Sequence, residues 1–315
     1  MNGLKIVGLG HFVPENVYTN DEISKNIETD DEWIRTRTGI EERRFVGNDE
    51  TNYSLAVKAA DMAIKNAGVS KDDISYIITC TFSADFPVPS IACMVQSELE
   101  IGDSCTCFDI NAACSGFLYG LHTVRGLLLQ EKDKNKYGLV IGSEVISRHL
   151  DMNDRETCIL FGDGAGAAVV KLEENYLYEF TSGSKGNYEV LHVGALNEDK
   201  QYVGMKGKDV FKFAVTTIPK CINNVLNESN LSIDDIDYVV CHQANKRIIE
   251  AVMTKYKQPA EKFPMNIMKY GNTSAASIPI MLSEMNEKGM FKKGQKVILV
   301  GFGAGLTWAA NLIEI

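Results

Sequence analysis

An α/β fold built from two similar halves is predicted by three observations. Short apolar runs alternate with helical patterns from end to end, a phrase near residue 70 recurs near residue 232, and each half ends in a glycine run. In the first half, 5–9 reads as a strand and 54–67 as an amphipathic helix. The run 74–80 is a β-branched strand, 89–100 a helix, 105–110 a strand and 114–130 a helix, with strands at 137–142 and 166–172. In the second half, apolar residues at helical spacing cover 210–227, 245–255 and 274–288. Strands fall at 236–241, 296–300 and 307–314.

The repeat is specific. Ser70-Lys71-Asp72-Asp73-Ile74-Ser75-Tyr76-Ile77-Ile78 is echoed by Ser232-Ile233-Asp234-Asp235-Ile236-Asp237-Tyr238-Val239-Val240, and each leads through an apolar strand to a cysteine. Cys114 then opens a helix in the first half, and Asn272-Thr273-Ser274 precedes one in the second. The runs Phe161-Gly162-Asp163-Gly164-Ala165-Gly166 and Gly301-Phe302-Gly303-Ala304-Gly305 complete the parallel. The expected halves are 1–172, carrying the cysteine, and 173–315, carrying a histidine and an asparagine.

At 315 residues and 45% hydrophobic content the chain can bury a large core. It has no apolar run of 18 residues and no apolar leader at its start, so a cytoplasmic location without a membrane span is expected. A formal charge of −10 argues against a broad nucleic-acid surface. Eight cysteines without paired spacing read as reduced thiols. The histidines form no HxH or HExxH cluster, and the glycine runs lack both the lysine of a phosphate loop and a dinucleotide fingerprint. No metal, ATP or nicotinamide site is expected.

Three residues stand out as chemistry. Cys114 lies between a strand and a long helix, where free backbone N–H groups and the helix dipole favour a thiolate. His242 follows the strand 236–241, at the carboxyl end where open α/β sheets carry their sites. An imidazole there can take the cysteine proton or donate to developing negative charge, and the Asn272 amide can supply a second donor. Cysteine, histidine and amide are the parts of a covalent acyl-transfer site.

The motifs Ala113-Cys114-Ser115-Gly116-Phe117, His242-Gln243-Ala244-Asn245 and Gly271-Asn272-Thr273-Ser274-Ala275-Ala276-Ser277-Ile278-Pro279 resemble those of the beta-ketoacyl-[acyl-carrier-protein] synthase III family, within the thiolase superfamily. The likeness extends from Asp31-Glu32-Trp33-Ile34 to Gly305-Leu306-Thr307-Trp308. It implies a duplicated αβαβα layered fold, a homodimer, and a catalytic Cys114, His242 and Asn272. It also implies an oxyanion hole from the backbone N–H groups of Cys114 and Ala304.

The implied reaction begins with an acyl-CoA primer that acylates Cys114. Malonyl-acyl-carrier protein then loses carbon dioxide and attacks the acyl-cysteine, with no cofactor beyond the thioester substrates. Trp33, Arg37, Arg148 and Asn245 are the implied coenzyme A contacts; an aromatic plane beside guanidinium groups suits adenine and phosphate. Lys246, Arg247 and Lys212 are candidates for the carrier protein, with Lys206, Lys208, Lys255 and Lys257 extending the patch. Val88 and Phe302 are assigned to the acyl pocket, Val88 by reaching into a partner's pocket. Valine in place of the family phenylalanine leaves room for primers longer than acetyl. The competing readings are an acyltransferase of specialised metabolism, a 3-hydroxy-3-methylglutaryl-CoA synthase, and a non-enzymatic thioester-binding protein.

Overall fold

The computed structural model describes residues 2–195 and 201–315. Its first sheet has five strands, in the order Asn2–Phe12, Gly164–Glu174, Tyr137–Glu144, Ile74–Cys80 and Thr106–Ile110. The first two pairings are antiparallel and the last two parallel. Ile77, Ile78, Leu139, Val140, Ile141, Val169 and Val170 are fully buried, as the inner strands of a sheet covered on both faces must be.

The second sheet repeats this order with one strand fewer. Tyr178–Ser184 pairs antiparallel with Thr307–Glu314, which pairs antiparallel with Lys296–Gly303, which pairs parallel with Tyr238–Cys241. The extra strand of the first sheet, Thr106–Ile110, is the one that leads to Cys114.

Five layers result. Helices Asn52–Ala67 and Ile91–Glu98 cover the outer face of the first sheet. Helices Gly207–Ser229 and Lys246–Tyr256 cover the outer face of the second. Between the sheets lie Gly116–Gln130 and Ser277–Glu287, whose Phe117, Leu121, Val124, Ile278, Leu282 and Met285 pack with strand residues from both sheets. Ser277–Glu287 buries both its polar and its apolar positions, Ser283 and Glu284 included, which explains why its pattern carries little amphipathic contrast.

Most expected elements appear within a few residues of their predicted bounds. Two differ in kind. The segment Asp31–Thr38, read as a polar stretch, is a helix capped by Asp30 and ended by Gly39 in the left-handed conformation. The stretches at Cys114 and Ser274 begin with 3₁₀ turns, Ala113–Ser115 and Ser274–Ala276, before their helices proper.

Candidate active site

Cys114 sits in the turn Ala113–Ser115, 8% exposed. Ala113 enters the turn at φ 45°, and Ser274 enters the matching turn of the second half at φ 50°. The left-handed region is uncommon for residues with a Cβ, so the pair marks an imposed geometry at both helix starts. Burial pushes the Cys114 thiol up to about 12; the Ser274 hydroxyl opposes the rise and the Glu144 carboxylate adds to it. The helix end therefore does not deliver a resting thiolate, contrary to the expectation from sequence, because desolvation outweighs the local donors.

The loop that carries Ala304 packs directly on this turn. A Cβ at Gly303 would lie 2.7 Å from the Cys114 backbone nitrogen. Gly303→Ala must therefore displace the Ala113–Ser115 turn, and we expect kcat to fall by about 100-fold while the fold persists. Steady-state rates with a melting curve on the same sample check this.

His242 ends the strand Tyr238–Cys241, and its N–H donates to the Val300 carbonyl at 2.8 Å. Its Nδ1 lies 2.7 Å from Ser277 Oγ, which also accepts the Gln243 N–H at 3.3 Å. The Phe302 ring stands 5.7 Å from the imidazole, tilted by 68°. The residue is 1% exposed, and burial pulls its pKa down to about 3, so the ring is neutral near pH 7.

Asn272 is clamped to the first glycine run. Its N–H donates to the Leu160 carbonyl at 2.8 Å and its carbonyl accepts from the Gly162 N–H at 3.1 Å. The Asn272 Oδ1 accepts the Ser274 N–H at 2.9 Å, which leaves the amide NH₂ as its free donor. The run Phe161–Gly166 thus holds the asparagine; a Cβ at Gly162 would strike the Tyr270 carbonyl at 2.3 Å.

Three adjoining cavities meet at Cys114. An open one of about 820 Å³ is lined by Trp33, Arg37, Arg155, Lys206, Lys208 and Arg247, among others. It shares Met205, Gly207, Phe211 and Asn245 with a narrower space of about 130 Å³, where Cys114, His242, Asn272 and Phe302 come together. Beyond Cys114 a third space, about 280 Å³, is walled by Phe82, Phe161, Leu191, Val193 and Val203, with Ala304 and Ser274 at its cysteine end. A ligand entering at the charged mouth can reach the thiol and continue into an apolar chamber.

Not every candidate is where sequence put it. Arg148 is absent from the mouth: its guanidinium pairs with Asp85 at 2.7 Å and donates to the Glu50 carbonyl at 3.0 Å. Asp85 in turn receives the Asn52 and Tyr53 N–H groups, so Arg148 braces the start of a helix. The second guanidinium over Trp33 is Arg155, 5.0 Å from the ring centroid against 5.9 Å for Arg37. Phe302 lines the narrow passage, not the apolar chamber, because its ring faces His242. Val88 is 81% exposed and lines none of the three cavities, so a contact with an acyl chain would be made to another molecule's pocket. Arg247 lines the mouth; Lys246 and Lys212 do not, and Lys246 pairs with Glu250 at 3.7 Å. Asn245 caps the helix Lys246–Tyr256 and donates through its amide to the Arg37 carbonyl, tying two walls of the mouth together.

Among the described residues, no group of three or more His, Cys, Asp or Glu is placed to hold a metal ion, and no helix is long and apolar enough to cross a membrane.

Residues 108–186 match the family model of 3-oxoacyl-[acyl-carrier-protein] synthase III, and residues 226–315 match that of its C-terminal part. The chain is 46% identical to the beta-ketoacyl-[acyl-carrier-protein] synthase III of Clostridium beijerinckii, with 100% of both chains covered. It is also 46% identical to the protein of that name from Fusobacterium nucleatum, covering 100% of this chain and 99% of the other. The crystal structure of 3-oxoacyl-[acyl-carrier-protein] synthase III from Aquifex aeolicus superposes with a TM-score of 0.94 at 41% identity, covering 99% of this chain and 100% of that one. The layered fold and its relatives make this a thiolase-fold acyltransferase of the condensing type. The chain belongs to the beta-ketoacyl-[acyl-carrier-protein] synthase III family.

Proposed function

We propose that this chain performs the initiating condensation of fatty-acid synthesis, joining a short acyl-CoA primer to malonyl-acyl-carrier protein through an acyl-cysteine on Cys114. The observation that carries this reading is the meeting of a cationic mouth, a passage lined by Cys114, His242 and Asn272, and an apolar chamber beyond them. Coenzyme A occupies the mouth, its adenine against Trp33 and its phosphates beside Arg37 and Arg155, while its acyl end enters the chamber.

After acylation, the malonyl thioester takes the same passage. If Ser277 donates to His242 Nδ1, the ring hydrogen sits on Nε2 and joins the Asn272 amide as a second donor to the thioester oxygen. The carboxylate leaves as carbon dioxide, the electron pair forms an enolate held by the two donors, and its carbon attacks the acyl-cysteine. Backbone N–H groups of Cys114 and Ala304 hold the tetrahedral oxyanion, and the Cys114 sulfur departs. No step requires His242 to act as a base, which suits a ring whose pKa lies at about 3.

We further infer two halves, 1–172 and 173–315, from the matched strand order of the sheets. A homodimer is supported by Thr106–Ile110, which forms an edge of its sheet, and by the exposed Phe86 and Val88. We place the enzyme in the cytoplasm. Arg247, with Lys206 and Lys208 beside it, provides the landing site for an acidic carrier protein; Lys212 and Lys246 extend it outside the mouth.

The test is the intact mass of the protein after incubation with a panel of acyl-CoA thioesters, followed by a chase with malonyl-acyl-carrier protein. The expected result is one acyl adduct per chain that the chase discharges as a 3-oxoacyl product. An adduct that survives the chase would sink the condensing reading and leave a transferase to some other acceptor. The chamber predicts that four- and five-carbon or branched primers load as well as acetyl, and that Val88→Phe narrows the range. In the same assay Arg155→Ala should raise the KM for acyl-CoA by about tenfold, the loss of one charge-assisted contact. Arg148→Ala should leave KM unchanged and lower the melting temperature.

A further inference from the structure

Glu144 ends the strand Tyr137–Glu144 and is fully buried. Its Oε2 is surrounded by donors from one loop: the Ser83 hydroxyl, Thr81 Oγ1 at 3.1 Å, and the N–H groups of Phe82 at 3.3 Å and Ser83 at 3.2 Å. Its Oε1 has a different partner, the Ser274 hydroxyl at 3.1 Å. Ser274 in turn lies against the Cys114 thiol, and both line the apolar chamber. A continuous path thus runs from the Cys114 sulfur through Ser274 Oγ to a carboxylate oxygen.

No cation faces this carboxylate among the described residues. Loop 81–83, the turn Ser274–Ala276 and neighbouring strands surround it, and the titratable groups that act on it electrostatically are two thiols, Cys80 and Cys114. A buried carboxylate with donors but no counter-charge is costly when ionised and readily accepts a proton. Burial lifts Glu144 to about 7 against the pull of its four donor residues. His242 cannot serve the same purpose, being depressed to about 3 and engaged with Ser277.

We propose that Glu144, acting through Ser274, takes up the thiol proton of Cys114 as the acyl group is transferred. The Cys114 S–H proton passes to Ser274 Oγ while the Ser274 O–H proton passes to Glu144 Oε1. The sulfur lone pair then bonds to the thioester carbonyl carbon, and the bond from that carbon to the coenzyme A sulfur breaks. The proton returns by the same path to the departing sulfur, so the products are acyl-cysteine, coenzyme A thiol and an ionised Glu144. Charge is conserved within the buried cluster at every stage, and the thiolate forms without a proton exchanged with water. Glu144 is a positioning and proton-holding residue, since Ser274 is the group that touches sulfur.

This rests on Cys114 being the acyl carrier, and the test separates the two ideas. The rate of Cys114 alkylation by iodoacetamide, read by peptide mass, is measured from pH 5.5 to 9.5 for the parent, Glu144→Gln and Ser274→Ala. An internal proton acceptor makes the parent rate rise to about pH 7 and then level off, because above that point the pair exchanges its proton internally. Without the acceptor the proton must go to solvent, so both variants should climb about tenfold per pH unit through the same range. A parent-like plateau in a folded Glu144→Gln, or in Ser274→Ala should the glutamine variant not fold, overturns the relay. A merely structural carboxylate would alter amplitudes or stability and leave the profile's shape unchanged. Absence of any acyl adduct on parental Cys114 with acyl-CoA would instead overturn the underlying assignment.

Discussion

Cys114→Ser is expected to form no acyl adduct and to condense at less than about one-thousandth of the parental rate. The site already holds a thiol at about 12 through burial, and a hydroxyl, intrinsically far less acidic, has no means of ionising there. The exchange changes little in volume, so the surrounding turn should survive and the melting temperature should move by only a few degrees. The diagnostic result is selective. His242 and Asn272 remain in the passage, so malonyl-acyl-carrier protein should still lose carbon dioxide, now without a condensation product. Intact mass and carbon dioxide release on the same preparation check both halves. Loss of both activities together would mean that the substitution had collapsed the site.

His242→Ala and Asn272→Ala give the complementary pattern, with normal acylation of Cys114 and a fall in condensation of about 10² to 10³ for each. Both side chains line the passage beside Cys114, and both are fixed by backbone hydrogen bonds that truncation would leave in place. Because the two donors are proposed to act on one oxygen, the double variant should lose less than the product of the single effects. The pH dependence carries the sign. A histidine lowered from 6.5 to about 3 stays neutral as pH falls from 8 to 5, so decarboxylation should show no histidine-like inflection there. An inflection near 6.5 would mean that the ring is solvated in the working enzyme.

Legibility in the sequence followed burial. The strands Ile74–Cys80 and Thr307–Glu314 match their predicted limits because each is an apolar run between clear turn signals. Tyr178–Ser184 escaped notice because its serines, glycine and glutamate dilute the pattern of a strand half-covered by one layer. The helix Asp31–Thr38 buries only Ile34 and Thr38, too little to leave a periodic trace, although Asp30 and Gly39 were available as capping signals. Cys114, His242 and Asn272 could be singled out because each sits in a short motif with unusual chemistry. Arg155 and Arg148 are seven positions apart in one loop-rich stretch, and only the fold decides which guanidinium meets Trp33. Glu144 had no distinguishing context, since a glutamate closing an apolar strand normally points to water; its role depends on Ser274, 130 positions away.

The burial of Cys114 also bears on how long such a protein lasts. With its pKa at about 12, only about one sulfur in 10⁵ is ionised at pH 7, and peroxide attacks the ionised form. A nucleophile left permanently ionised would be spent on the first oxidant to arrive. Here the sulfur stays chemically quiet between turnovers, and ageing by oxidation should begin at the more accessible Cys93 and Cys107, leaving the working thiol among the last to be damaged.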